Sequence, residues 1–303
     1  MIIHEVGLRD GLQMEHEIVP IETKLDWIAA LVAARVPMIQ VGSFVHPTKV
    51  PQMADTDTIF SELRKRTTGP DSTVYSALVL NEKGMERAQA VGVSMLCMGV
   101  SASETHSRKN TGMSIAEALD RVTAMALAAQ SAGMKVQVSV QSAFGCGYEG
   151  PVPQDRVIAI AKRFFDAGLM TISLADTAGH AMPDAVQRMF AALAEANSSA
   201  ELACHFHNTY GAALANCYAA LKEGVMFFES SIAGLGGCPF TKIAGGNACT
   251  EDLVHMAKRM NLLSDIDLTG LLSLAEDVES FFKRELPGTI HRVGPIPDKG
   301  KSE

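Results

Sequence analysis

The sequence holds no apolar run near the roughly 18 residues that a membrane-spanning helix needs. Its N-terminus lacks the basic and apolar regions of a secretory signal, so a soluble, cytoplasmic protein without a membrane partner is expected. It has no basic stripe with interleaved aromatics, and its net charge is −8, which argues against a nucleic-acid partner. It has no CxxC spacing, so nothing points to a structural zinc site. The six cysteines are dilute in 303 residues, and reduced thiols are expected instead of a disulfide framework. Low-complexity segments and interdomain linkers are also lacking.

What is present is apolar material for a large core, at 47% of the chain. Short β-branched runs read as strands near Ile2–Val6, Met38–Gly42, Thr73–Leu78, Ser94–Val100, Lys135–Gln141, Thr171–Ala175, Glu201–Phe206 and Met226–Ser230. Between them lie amphipathic helical patterns at Ile21–Ala34, Asn81–Ala90, Ile115–Ala132, Gln154–Ala167, Pro183–Ala196 and Gly211–Glu223. Strands alternating with helices predict a parallel sheet, and eight such units close a (β/α)8 TIM barrel. The barrel is expected over residues 1–265. A C-terminal helical extension is expected over 266–303, with a helix at Leu268–Glu285 and a tail that frays from Pro287. Identical chains are expected to assemble into a homo-oligomer.

In such a barrel, catalytic groups sit at the C-terminal ends of the strands. Three clusters fall there. Arg9 and Asp10 follow the first strand, His205 and His207 end the seventh, and the glycine-rich Gly234–Asn247 (GLGGCPFTKIAGGN) follows the eighth. These strands are neighbours in a closed barrel. Two histidines spaced two apart on a strand point to one side. One carboxylate, two imidazoles and the Asn247 amide oxygen would leave open positions on an octahedral cation, favouring Mg²⁺ or Mn²⁺. Taken alone, His-x-His is more often a hydrogen-bonded core pair, and Arg-Asp a surface pair. Arg9 offers a planar fork suited to an enolate or carboxylate. Asp176, in LADTAG after the sixth strand, reads equally as a general base or as a helix N-cap. Cys238 sits among the glycines, where a thiol could return a proton to a carbanion or merely fill space. Ser43 could meet a substrate carboxylate or carbonyl. Lys49, Arg108 and Lys109 could meet phosphates or simply be solvated.

The motifs EVGLRDGLQ (Glu5–Gln13), SFVHPTKVPQM (Ser43–Met53), HFHNTYG (His205–Gly211) and GLGGCPF…GGN…TEDLV (Gly234–Val254) resemble the 3-hydroxy-3-methylglutaryl-CoA lyase family. This family belongs to the metal-dependent TIM-barrel lyases and condensing enzymes. The likeness runs from about Ile3 to Asn261, and the cysteine-bearing glycine segment is its most specific piece. It implies Asp10, His205, His207 and Asn247 as ligands of a divalent cation, and Arg9 as the residue that stabilises an enolate. It implies Asp176 as acid/base and Cys238 as proton donor, with Gln13, Gln40, Ser43 and Ser173 lining the substrate site. The implied reaction cleaves an acyl-CoA substrate, 3-hydroxy-3-methylglutaryl-CoA, to acetyl-CoA and acetoacetate, as in leucine and ketone-body metabolism. The chain departs from the family at five positions. Gln40 replaces a glutamate, Met14 an asparagine, Asn208 an aspartate, Ser142 a cysteine and Gly147 a proline. Gln40 removes a charge beside Arg9. Two other readings therefore stand: a lyase or aldolase for a different hydroxyacyl-CoA or hydroxy acid, and a non-catalytic barrel scaffold.

Overall fold

The computed structural model describes residues 1–66, 73–237 and 245–297. Eight parallel strands close a barrel in chain order: β1 (Ile2–Glu5), β2 (Met38–Ser43), β3 (Val74–Leu78), β4 (Met95–Ser101), β5 (Lys135–Gln141), β6 (Thr171–Asp176), β7 (Glu201–Phe206) and β8 (Phe227–Ser230). β8 pairs back onto β1, with Glu5 opposite Ser230. The helices α1 (Ile21–Ala33), α2 (Thr56–Arg66), α3 (Glu82–Ala90), α4 (Glu104–Thr111), α5 (Ile115–Ser131), α6 (Gln154–Asp166), α7 (Pro183–Ala196) and α8 (Ala213–Lys222) connect these strands. Three more follow β8: α9 (Thr250–Arg259), α10 (Leu268–Phe282) and α11 (Ile290–Val293).

Local chemistry sets the helix starts. Asn81 caps α3 through Gly84 N–H, Asp267 caps α10 through Thr269 N–H, and Ser114 with Glu117 forms a full capping box on α5. Pro183 opens α7 where no intrahelical N–H is missed.

Period-two alternation divides each strand between two environments. On β7, Leu202, Cys204 and Phe206 join the large apolar core, while His205 turns toward the barrel axis. The first residues of several strands (Ile2, Met38, Val74, Met95 and Phe227) pack with Cys97 and Leu78 into a separate small apolar plug. Above this plug the interior is polar. His4 Nε2 lies 2.7 Å from Ser76 Oγ, and Gln137 donates to Glu229 across the barrel. Leu78 and Cys97 of this cluster also form part of the lining of a cavity at the C-terminal face of the strands.

The C-terminal tail does not fray at Pro287 as its composition suggests. Gly288 N–H donates to Ala233 O at 3.0 Å, Ile290 N–H donates to the Asp252 carboxylate at 2.7 Å, and α11 follows. These backbone donors find acceptors far away in sequence, which composition cannot reveal. α10 packs against α1 and α9.

Candidate active site and metal centre

A cavity of about 290 Å³ opens at the C-terminal mouth of the barrel, where Arg9, Asp10, Gln13, Gln40, His205 and His207 contribute to its lining. Arg9 and Asp10 lie on one π-helical turn, Gly7–Gly11, in which the N–H groups of Arg9, Asp10 and Gly11 all point to Val6 O. The turn packs closely against the chain after β8. A Cβ added to Gly11 would lie 2.9 Å from Leu235 Cβ, so only glycine fits there.

The two histidines have assigned orientations. His205 Nδ1 is 2.9 Å from Glu229 Oε2, and His207 Nδ1 is 3.0 Å from Thr177 O. A carboxylate and a carbonyl only accept, so Nδ1 of each ring carries a proton and Nε2 turns inward. The two Nε2 atoms lie 3.2 Å apart, and Asp10 Oδ2 lies 3.4 Å from that of His207 and 3.6 Å from that of His205. Three potential ligand atoms thus converge, and with both rings neutral all three are acceptors. That arrangement is electrostatically unfavourable unless a cation occupies their common point. Asp10, His205 and His207 together form a group able to hold a metal ion. Asn247 completes the picture. Its Nδ2 donates to Asp10 Oδ2 and Leu235 O, both at 3.0 Å, while its Oδ1 is buried with no partner. Asn247 therefore touches this group through Asp10, and its buried, unpartnered amide oxygen is of the donor type that a divalent cation takes.

Asp10 divides its work between its two oxygens. Oδ1 accepts from Arg9 Nη1 at 2.5 Å, while Oδ2 faces the imidazoles. Burial alone would raise its pKa, but Arg9 and the imidazoles outweigh that and hold it well below the usual carboxylate range. Arg9 Nε donates to Gln40 Oε1, so the neutral amide sits against the guanidinium.

The remaining expected residues are placed as follows. Gln13 and Gln40 line the cavity. Ser43 and Ser173 do not line it, although both hydroxyls are buried without a partner. Asp176 is buried and outside the lining, between the lining residues Ala175 and Thr177. Its carboxylate accepts His180 N–H at 2.8 Å and Ala181 N–H at 3.1 Å, so it braces the loop before α7 and is not the helix cap, a position that Met182 takes. Burial raises its pKa. Cys238 lies outside the described residues. The described cysteines, Cys97, Cys146, Cys204, Cys217 and Cys249, are all free and buried. Cys97 reaches the cavity floor, where burial pushes its thiol up to about 12 and makes it a poor nucleophile. Arg108 pairs with Glu104 at 2.8 Å, and Lys109 sits over the Tyr148 ring at 4.3 Å.

Two acidic residues do work that the motifs alone did not single out. Glu229 holds His205. Burial would raise its pKa, yet the His205 hydrogen bond and nearby cations bring it to about 2. A carboxylate behind a histidine fixes the ring and raises its basicity toward a metal. The signal was a lone acid inside the apolar run MFFESS. Glu5 accepts from Gly7 N–H, Ile232 N–H and the Thr250 hydroxyl, which ties the π-turn to the segment after β8.

The profile of the HMGL-like family matches residues 1–278. The hydroxymethylglutaryl-CoA lyase of Bacillus subtilis is 38% identical over 285 residues, covering 94% of each chain. The (R)-citramalyl-CoA lyase of Chloroflexus aurantiacus is 36% identical over 300 residues, covering 97% of this chain and 95% of its own. A solved HMG-CoA lyase from A. baumannii, in complex with coenzyme A and 3-methylmalate, superposes with a TM-score of 0.91 at 33% identity, covering 100% of this chain and 97% of its own. The chain therefore belongs to the HMGL-like family of carbon–carbon lyases.

Proposed function

We propose that this chain cleaves the bond between the second and third carbons of a 3-hydroxyacyl-CoA bearing a second carboxylate. 3-Hydroxy-3-methylglutaryl-CoA or a close analogue is the substrate, and acetyl-CoA and a keto acid, acetoacetate in the parent case, are the products. The observation that carries this reading is the convergence of Asp10 Oδ2 and the two Nε2 atoms beside Arg9 at the barrel mouth.

Asp10, His205, His207 and Asn247 would hold a divalent cation, Mg²⁺ or Mn²⁺, which supplies Lewis acidity to the substrate hydroxyl and an adjacent oxygen. The protein side chains do the rest. Arg9 has five N–H donors, and those beyond the Gln40 and Asp10 bonds are left for the thioester enolate oxygen. Preorganised donors of this kind need no reorganisation when charge develops. Cys238 is assigned the return of a proton to the enolate carbon, on the family resemblance alone. Asp176 is assigned acceptance of the hydroxyl proton on the family resemblance, supported by its place between the lining residues Ala175 and Thr177 and by the upward shift that burial gives its pKa. Each of its oxygens keeps a second lone pair beyond its backbone bond.

The Asp176 assignment has a direct test. Asp176→Asn keeps one acceptor oxygen for the loop but removes the basic group. It should lower kcat by about 10²-fold or more with an unchanged far-UV circular dichroism spectrum. Turnover within twofold of the parent would leave Asp176 with the loop alone.

The overall proposal is tested with a substrate panel. The parent and Gln40→Glu are compared on 3-hydroxy-3-methylglutaryl-CoA, citramalyl-CoA and free hydroxy acids, with products read by mass spectrometry. The expected result is metal-dependent release of acetyl-CoA from a CoA thioester. Gln40→Glu should shift kcat/KM between the two thioesters by about tenfold, the scale of one changed polar contact at Arg9. A parent that cleaves only free hydroxy acids would replace the CoA reading. A parent that binds no divalent cation and cleaves nothing would favour a scaffold.

A further inference from the structure

The two stems of the glycine-rich segment after β8 are wedged by the C-terminal tail. Ala233 is a non-glycine residue in left-handed conformation, at φ 54°, a backbone state that persists only where surroundings enforce it. Both of its backbone polar groups are held by residues later in the chain. Its N–H donates to Glu251 Oε2 at 3.0 Å, and its carbonyl accepts from Gly288 N–H at 3.0 Å. Gly234 follows it at φ +68°, and Gly246 on the returning stem has the same φ. A Cβ on Gly246 would lie 2.0 Å from Gly234 O and 3.1 Å from Pro287 Cγ, while one on Gly234 would lie 3.1 Å from Pro287 Cβ. Pro287 therefore touches both stems, and the residue after Gly246 is Asn247.

One ionic cluster fixes this tail. His291 is buried between two carboxylates: Nδ1 lies 3.2 Å from Glu251 Oε1, and Nε2 lies 3.2 Å from Glu279 Oε2. The Nδ1 contact is an ion pair without hydrogen-bond alignment. Glu279 also accepts Leu286 N–H at 2.8 Å, and Asp252 accepts the N–H groups of Thr289 and Ile290. Glu251 is fully buried, and a buried carboxylate without a cation is strongly unfavourable. His291 supplies that cation from α11, with Glu279 on α10 as its second counter-charge; Arg292 and the Cys249 thiol lie nearby.

We infer that His291 is a positioning residue: seated between Glu251 and Glu279, it locks Leu286–Arg292 onto the Ala233–Gly234 corner and so holds Asn247 against Asp10. The inference rests on Asn247 as a ligand of the proposed cation. It assigns the C-terminal extension a part in the metal centre, although no residue of α10 or α11 lines the cavity.

Mn²⁺ affinity of the full-length protein without substrate tests this, read by calorimetry and by electron paramagnetic resonance. His291→Ala should weaken Mn²⁺ binding by about tenfold, the lower end for an outer support of a metal site, with the far-UV spectrum retained. Should His291→Ala fail to fold, Glu279→Gln on the more exposed partner carries the test, with an expected weakening of about threefold. Leu119→Ala in the core of α5, beside β4 and β5, is the control for lost stability alone and should leave Mn²⁺ affinity unchanged. Affinities of both latch variants within twofold of the parent overturn the inference, as does an equal loss in Leu119→Ala. His207→Ala separates the two levels: if it still binds Mn²⁺ like the parent, the metal centre itself is wrong, whatever His291 does.

Discussion

Replacing His207 with alanine should weaken Mn²⁺ binding by at least a hundredfold and lower kcat by about 10³-fold or more, with the fold intact. The binding loss follows from the ligand set. Asp10 Oδ2 and the two Nε2 atoms lie within 3.2 to 3.6 Å of one another, so each is a neighbour of the same point. Removing one imidazole takes away a third of that converging set. The kinetic loss follows from chemistry, since a Lewis acid at a developing alkoxide contributes several kcal/mol of transition-state stabilisation, and each 1.4 kcal/mol is tenfold in rate. Asp10→Asn should act similarly, for a second reason. Arg9 would then face a neutral amide at both Gln40 and position 10, leaving its charge unpaired. Chelation of the parent should reproduce the kinetic loss, and added Mn²⁺ or Mg²⁺ should restore it. A His207→Ala protein that turns over at a tenth of the parent rate or better would show that the convergence serves packing and not catalysis.

The barrel was legible because its signals are local. β5, β7 and α7 run over the same residues that hydrophobic period and turn chemistry mark out, since buried strands and amphipathic helices write their period into the sequence. α2 was not among the marked segments: TDTIFSELRKR is strongly polar and its apolar face is narrow, so its burial against β2 becomes visible only once the strand is in place. The site was legible to the extent that its residues sit at strand ends. Arg9, Asp10, His205, His207 and Asn247 meet because β1, β7 and β8 are neighbours in a closed ring. The supports were not legible. Glu229 behind His205, Thr177 O behind His207 and Glu5 between the π-turn and Thr250 act through geometry, and a backbone carbonyl has no letter in the sequence. The same holds for the partners of Asp176, whose two oxygens take backbone N–H groups of the next loop that no motif marks.

Arg9→Met is the variant that separates cation binding from charge stabilisation in the reaction. Methionine approximates the stem of arginine but carries no donor, so the side-chain volume beside Gln40 is roughly kept. The expected kcat falls by about 10³-fold, at the upper end of what one preorganised donor contributes to a developing oxyanion. Mn²⁺ affinity should stay equal or increase. In the parent, Arg9 competes for Asp10 by holding Oδ1 at 2.5 Å and drawing charge from the carboxylate that faces the imidazoles. Without it, Asp10 loses its adjacent guanidinium, and both carboxylate oxygens are left to the imidazoles, Asn247 and the cation. The rate therefore falls while cation affinity holds or rises, which no general loosening of the cavity would produce. Arg9→Lys should recover little. An ammonium is a compact point charge that cannot bond Gln40, Asp10 and an enolate oxygen together as the planar fork does. If Arg9→Met instead loses Mn²⁺ binding and turnover in the same proportion, then Arg9 acts by shaping Asp10 for the cation, and the enolate needs another partner in the cavity.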